Sequence, residues 1–256
     1  LSVNAHRFVE HFKFVKALED ANTVAKQTIP APAQFLEQLV MPMNQETTRT
    51  VYPNDDELIA DIVAGYKKVI ADLYAAGCRN IQSDDCTWGC FVDPHAKLFF
   101  GADDAQLKVL QKQFLTINNL AIEGKPDDLV INTHICRGNF HSTWACTGAY
   151  DKIAPLVFGQ ENVNAYYLEF DDERFASLKE VTDDKKVVLG LITTKSPKLE
   201  DKETVIARIH EASRYIPLDR LSLSPQCGFA SCEIGNKLTE EEQWAKLALV
   251  KEIAQE

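Results

Sequence analysis

Short apolar runs alternate with longer amphipathic stretches along the whole chain. The short runs are rich in β-branched side chains and predict six strands. These strands cover residues 23–29, 80–84, 129–136, 165–170, 187–193 and 221–224. Most of these runs are apolar almost to their last residues, which is typical of strands that are buried on both faces of a sheet.

The amphipathic stretches between these runs have the spacing of one helix face. The longest extends from Leu58 to Leu73, and Gly77 follows it as the kind of residue that ends a helix in the left-handed conformation. The other apolar stripes cover residues 9–18, 107–120, 205–212 and 244–250. The last of them follows Thr239 and Glu242, which have the spacing of a capping box. Strands that alternate with helices in this way predict a parallel sheet covered by helices.

Two α/β architectures fit this alternation: an open doubly wound sheet and a closed (β/α)8 barrel, also called a TIM barrel. No Gly-x-Gly-x-x-Gly follows any predicted strand, which disfavours a dinucleotide-binding sheet. Polar side chains follow several strands, where a barrel places its active site, although open sheets also bind ligands at that edge. We find no linker, repeat or low-complexity segment, so we predict one domain over residues 1–256.

Composition excludes several functions. Of the 256 residues, 45% are hydrophobic and 25% are charged, as in an ordinary globular protein. The net charge of -11 disfavours binding to nucleic acid or to an anionic membrane, and no apolar run is long enough for a transmembrane helix. Seven scattered cysteines and the lack of a secretory signal favour a cytoplasmic protein whose thiols are reduced or bound to metal. The chain begins with Leu1 rather than Met, so we also consider that it is part of a longer product.

Side chains that could bind a metal ion occur at or just after the ends of three of the predicted strands. His134 and Cys136 are two residues apart, so they point to the same side of a strand. Glu169 lies inside the next strand, and Cys227 follows the last strand at a bend between a proline and a glycine. Each of these residues has an ordinary structural explanation when it is taken alone. Together they supply one nitrogen, two sulfurs and one oxygen, from which a tetrahedral zinc site can be built.

Acidic and aromatic residues follow the second strand. Asp84 is placed to accept hydrogen bonds from the ammonium group of a substrate, whereas Asp85 could be solvated. We assign Asp84, Asp85 and Trp88 to substrate binding. Cys86 and Cys90 are four residues apart and form a weaker candidate for a second metal pair.

Several segments are similar to the C-terminal catalytic barrel of cobalamin-independent methionine synthase, and more closely to a shorter, single-barrel branch of that family. These segments are residues 81–88, 134–140, 167–174, 188–195 and 223–229. The resemblance therefore extends in order over nearly the whole chain. It implies a (β/α)8 barrel, of which this chain carries all but the first two strands, with zinc at the carboxyl ends of the strands.

The resemblance also implies roles for individual residues. The residues that match the zinc ligands are His134, Cys136, Glu169 and Cys227. Asp84 matches the acid that binds the amino group of homocysteine. Lys195 stands where the synthase has a histidine that assists catalysis, so we place both Asp84 and Lys195 in the catalytic group.

The reaction implied by the resemblance is methyl transfer to a small thiol such as homocysteine. The shorter branch lacks the N-terminal barrel that helps to bind polyglutamyl folate. The resemblance therefore implies a methylated folate as methyl donor less directly than it implies zinc as the metal. Two alternatives stay open: a related zinc-thiolate alkyltransferase or demethylase that acts on another thiol, and a zinc-binding barrel without turnover. The oligomeric state is also open.

Overall fold

The computed structural model describes residues 6–170, 175–230 and 232–256, in which six parallel strands form one sheet in chain order. The strands are β1 Gln27–Pro30, β2 Asn80–Asp84, β3 Val130–Ile135, β4 Ala165–Glu169, β5 Lys186–Ile192 and β6 Leu221–Pro225. The α/β class and the six predicted strands are therefore confirmed. Residues 1–5 and residues 171–174, which end one of the similar segments, lie outside the described part of the chain.

Helices follow or precede each strand. They are α1 Arg7–Lys16, α2 Pro32–Val40, α3 Pro42–Val51, α4 Asp55–Ala75, α5 Thr87–Val92, α6 Ala96–Phe100, α7 Asp104–Ile122, α8 Ala154–Gln160, α9 Lys202–Ala212 and α10 Glu240–Ala254. Gly77 has a positive φ after α4, and Thr239 with Glu242 caps α10, as predicted. No helix among the described residues combines the length and the apolar character that crossing a membrane requires.

The sequence analysis missed the shorter helices α2, α3, α5, α6 and α8. Each has ten residues or fewer, which is too short for an apolar stripe to be distinguished from a loop. Helices α2 and α3 nevertheless carry a recognisable signal, because Pro32 and Pro42 occupy their first turns. Proline is favoured there, since the missing N–H has no partner within the helix in any case.

The chain divides into two compact units, and its organisation as one domain stays a prediction. The first unit comprises residues 1–87, 95–133 and 160–164. In it β1 pairs with β2 in parallel, with Gln27 beside Ile81. Helices α2 and α4 pack against α7, and their buried apolar side chains, including Leu36, Leu58 and Phe114, form the core of this unit.

The second unit comprises residues 88–94, 134–159 and 165–256. Its central strand is β5, which pairs in parallel with β4 on one side and with β6 on the other. Helices α9 and α10 cover this sheet, and Val205, Leu249 and Ile253 pack around Ile192 at the end of β5. The carboxyl ends of β3 to β6, where the predicted metal ligands occur, all belong to this unit.

Candidate metal centre

The four predicted zinc ligands lie together at the carboxyl ends of the strands. His134 is in β3 and Cys136 directly follows it, Glu169 is the last residue of β4, and Cys227 comes two residues after β6. Because parallel strands end at the same edge of a sheet, residues far apart in the chain meet there. One donor atom from each side chain lies within 4.8 Å of the others. Their role as ligands stays a prediction.

The distances within this cluster fit a single small cation. The Sγ atoms of Cys136 and Cys227 are 3.5 Å apart, whereas two sulfurs bonded to one tetrahedral zinc ion at about 2.3 Å would be about 3.8 Å apart. Glu169 Oε1 lies 2.8 Å from Cys227 Sγ and 3.5 Å from His134 Nε2. These separations are therefore close to those that ligands of one shared ion require.

The orientation of His134 also suits a metal ligand. Its Nδ1 lies 3.2 Å from the carbonyl oxygen of Tyr167. Because a carbonyl oxygen can only accept, Nδ1 carries the proton and donates it. Nε2 then faces the cluster, 3.5 Å from Glu169 Oε1, and loss of its proton would leave a lone pair there for a metal ion. Metal-binding histidines typically have this arrangement, in which a backbone carbonyl fixes the tautomer of the ring.

Charge within the cluster favours a cation. Burial raises the pKa of Glu169, but hydrogen bonding with His134 and the charge of Lys195 outweigh it and lower the pKa to about 2. The hydrogen bond with Cys136, together with burial, raises the pKa of the Cys227 thiol well above its usual range. The protein alone therefore holds an ionised carboxylate beside a protonated thiol. A bound metal ion deprotonates such a thiol outright.

Backbone amides hold the ligands in place. The N–H of Arg137 donates to Glu169 Oε1 at 3.0 Å, and the N–H of Gly138 donates to Cys136 Sγ at 3.2 Å. Gly138 has a φ of 90°, and a side chain at this position would collide with Ala145. The turn after β3 therefore requires glycine in order to aim an amide at a ligand sulfur.

Tyr150 is a site residue that the sequence analysis missed. Its buried hydroxyl group accepts a hydrogen bond from the N–H of Glu169 and donates one to the carbonyl oxygen of Glu169, both at 3.0 Å. Its ring lies under the guanidinium of Arg137, at 4.8 Å. Tyr150 therefore fixes the backbone of a predicted ligand, and no sequence motif indicated this contact.

Lys195 lies beside the cluster, in the loop after β5. Its Nζ is 3.3 Å from Glu169 Oε2 and 3.5 Å from Cys227 Sγ. The residue is only 5% exposed. The structure therefore brings Lys195 together with two of the predicted ligands, while its catalytic role stays a prediction.

Asp84, Asp85 and Trp88, at and after the end of β2, are half-buried or buried. Asp84 ends this strand and is half-buried. Asp85 is fully buried, so the suggestion that it is solvated was wrong: it accepts hydrogen bonds from Asn118 Nδ2 at 2.9 Å and from the N–H of Thr87 at 3.1 Å. Burial raises the pKa of Asp85 to about 6. Trp88 is also fully buried. Substrate binding by these three residues of the β2 segment stays a prediction.

Of the two cysteines that we considered as a second metal pair, Cys90 lies next to a different thiol. Its Sγ is 3.4 Å from that of Cys146, and both side chains are buried. This contact ties α5 to the segment that follows the turn after β3. It indicates a packing role for Cys90.

Comparison with known proteins places this chain in a family. Residues 47–256 match the family model described as "Cobalamin-independent synthase, Catalytic domain". The chain therefore belongs to the cobalamin-independent synthase family, through its catalytic domain. The uncharacterized protein YxjG of Bacillus subtilis is 41% identical over 99% of this chain and 67% of its own length.

Two solved structures are similar to this fold. A candidate vitamin-B12-independent methionine synthase from Listeria monocytogenes matches with a TM-score of 0.78 and 37% identity, over 99% of this chain and 70% of its own. A B12-independent methionine synthase from Shewanella sp. W3-18-1, solved with selenomethionine, matches with a TM-score of 0.69 and 18% identity, over 99% of this chain and 67% of its own. The second likeness shows the fold alone.

The contact between Gly89 and Cys136 provides a test of how the cluster is held. A Cβ atom at Gly89 would lie 2.5 Å from the carbonyl oxygen of Cys136, so Gly89→Ala forces the turn after β3 to move. We expect this variant to lose about 1–3 kcal/mol of stability, as overpacked sites do, and to retain less zinc than the wild type. Thermal unfolding and metal analysis after loading with zinc measure both effects.

Gly159→Ala is the matched control, because a Cβ there meets its nearest atom, the carbonyl oxygen of Glu180, only at 3.8 Å. We expect this variant to keep the stability and the zinc content of the wild type. Equal stability and equal zinc content in the two variants would show that α5 does not support the cluster.

Proposed function

We propose that this protein is a zinc-dependent methyltransferase that transfers a methyl group to the sulfur of a small thiol such as homocysteine, in the manner of methionine synthase. The observation that carries the proposal is the cluster of His134, Cys136, Glu169 and Cys227, whose donor atoms lie within 4.8 Å of one another. Membership of the cobalamin-independent synthase family supports the same reaction.

Zinc is the metal that we propose for this site. Two thiolates, an imidazole and a carboxylate in tetrahedral arrangement suit zinc, whereas magnesium and calcium prefer oxygen ligands alone. The chemistry that zinc supplies is the deprotonation of a thiol at neutral pH. The raised pKa of Cys227 is consistent with this need, because a thiolate in this buried position requires a nearby cation.

The reaction that we propose is a nucleophilic displacement. The substrate sulfur attacks the methyl carbon, a new S–C bond forms, and the bond between that carbon and the donor atom breaks. The electron pair of the broken bond leaves with the donor. When the donor atom is nitrogen, it takes up a proton as the bond breaks, and this proton balances the one that the substrate thiol loses. A methylated folate, in which the donor atom is nitrogen, is our first choice of donor.

Residues of the chain position the reactants. We propose that Asp84 binds the ammonium group of the amino-acid substrate. We propose that the neighbouring Asp85, which is buried and held by Asn118, contributes to the same binding site. We propose that the buried side chain of Trp88 fixes the position of α5. The amide of Arg137 and the hydroxyl of Tyr150 keep Glu169 fixed while the substrate sulfur binds.

The binding partners that we propose are small molecules rather than nucleic acid or membrane. Reduced thiolate ligands fit a cytoplasmic location.

A second function has one specific observation in its favour. Lys195 lies against Glu169 and Cys227 where the resemblance to methionine synthase would place a histidine. A lysine cannot shuttle a proton near neutral pH as readily as a histidine. This difference favours a related alkyl transfer or demethylation on another thiol as the alternative reaction. A zinc-binding barrel without turnover is the third outcome that the experiments separate.

Metal analysis tests the ligand set. Removal of a group that only hydrogen-bonds to a metal ligand typically costs about 10–100-fold in metal affinity, so Cys136→Ala, which removes a predicted ligand, is expected to cost at least about 100-fold. Competition with a chromophoric zinc chelator measures this affinity. Cys232→Ala is the matched control, because Cys232 is an exposed cysteine outside the cluster, and it is expected to bind zinc as the wild type does. Equal affinities in the two variants would exclude Cys136 as a ligand.

Turnover tests the reaction itself. The zinc-loaded protein is incubated with homocysteine and either a methylated folate or a methylsulfonium compound, and methionine is measured by mass spectrometry. We expect methionine from at least one donor, and its formation should stop when a chelator removes the metal. Zinc-bound protein that forms no methionine with any donor would contradict the proposal and favour the alternatives.

A further inference from the structure

Lys195 is a buried cation that lies against the metal cluster without being one of its ligands. Its side chain is 0% exposed, and so is the side chain of Glu169, with which it forms an ion pair. A buried ammonium group is costly unless anions lie close to it. The position of Lys195 is therefore informative about where negative charge collects in this site.

The two oxygens of Glu169 have different partners. Oε1 lies 2.8 Å from Cys227 Sγ and 3.5 Å from His134 Nε2. Oε2 lies 3.3 Å from Lys195 Nζ. Lys195 therefore balances the charge of the carboxylate through Oε2 and leaves Oε1 available to a metal ion.

Lys195 also contacts Cys227, the most exposed of the four predicted ligands. Cys227 is half-buried, whereas the other three predicted ligands are buried. Lys195 Nζ is 3.5 Å from Cys227 Sγ and 5.3 Å from the centre of the Trp144 ring, which is 44% exposed. A molecule that reaches the metal ion beside Cys227 must therefore come close to the Lys195 ammonium group.

The charge of the site explains why a cation is needed there. With zinc bound, two thiolates, one carboxylate and the divalent ion would carry one net negative charge, and Lys195 would bring the total to zero. A substrate that binds as a thiolate would add another negative charge. The site would then carry one net negative charge with Lys195 and two without it, and the second is the less favourable in a buried site of low effective dielectric constant. A thioether, the methylated product, adds no charge.

We propose that Lys195 is a positioning residue that lets this site bind its substrate as a thiolate and discriminates that thiolate from the neutral thioether product. The inference rests on the proposed function. It predicts that removal of the ammonium group weakens the binding of a thiol while the binding of the matching thioether hardly changes. A purely structural role for Lys195 would weaken both to a similar extent.

The experiment compares homocysteine with methionine, which share their carbon skeleton and differ by the methyl group on sulfur. Isothermal titration calorimetry measures both affinities on the zinc-loaded wild type, Lys195→Met and Lys195→Arg. We expect Lys195→Met to lose about tenfold or more in affinity for homocysteine, equivalent to about 1.4 kcal/mol per tenfold, and to keep its affinity for methionine within about twofold. Lys195→Arg retains the charge and is expected to retain most of the preference for the thiol.

The outcomes separate the inference from the function on which it rests. A parallel loss of both affinities in Lys195→Met, or no loss of either, would overturn the role of Lys195. The proposed methyltransferase function would still stand if the wild type binds homocysteine. A zinc-loaded wild type that does not bind homocysteine would overturn both. Lys195→Gln is a second neutral variant, and if Lys195→Met fails to retain zinc, the same comparison is made with it.

Discussion

A carboxylate that is completely shielded from water has to be balanced by its neighbours, and Glu169 is such a carboxylate. Its Oε1 contacts Cys227 and His134, and its Oε2 forms an ion pair with Lys195. Its backbone is fixed by Tyr150, and the amide of Arg137 donates to Oε1. The Cys227 thiol and the His134 imidazole both contact this fixed negative charge, which therefore organises the cluster.

The parallel sheet is what makes such a cluster possible. Residues separated by 91 positions, Cys136 and Cys227, bring their sulfur atoms to within 3.5 Å because β3 and β6 end at the same edge. Turns that require glycine or proline then set the direction of each side chain. The site thus combines a rigid support from strands with the adaptable geometry of the loops that follow them. Family membership and the donor set both support the proposed chemistry, the activation of a thiol.

The sequence predicted what depends on local pattern and missed what depends on distant contacts. Strand β2 was predicted with its observed bounds, whereas β1 begins four residues later than predicted because Thr23 bonds to Asp20 in a turn. Solvation of Asp85 was suggested because its neighbours in sequence, such as the N–H of Thr87, do not by themselves indicate burial. Its partner, Asn118, lies 33 residues away on α7. The contact of Tyr150 with Glu169 is equally invisible to sequence patterns.

The metal environment is the most direct test of the central claim that two sulfurs, one nitrogen and one oxygen share a single ion. Zinc K-edge X-ray absorption on the purified zinc-loaded protein resolves the coordination shell without any assay of turnover. The predicted result is two sulfur neighbours at about 2.3 Å and two nitrogen or oxygen neighbours at about 2.0–2.2 Å. A shell of oxygen and nitrogen without sulfur would contradict the assignment of Cys136 and Cys227, and with it the proposed chemistry.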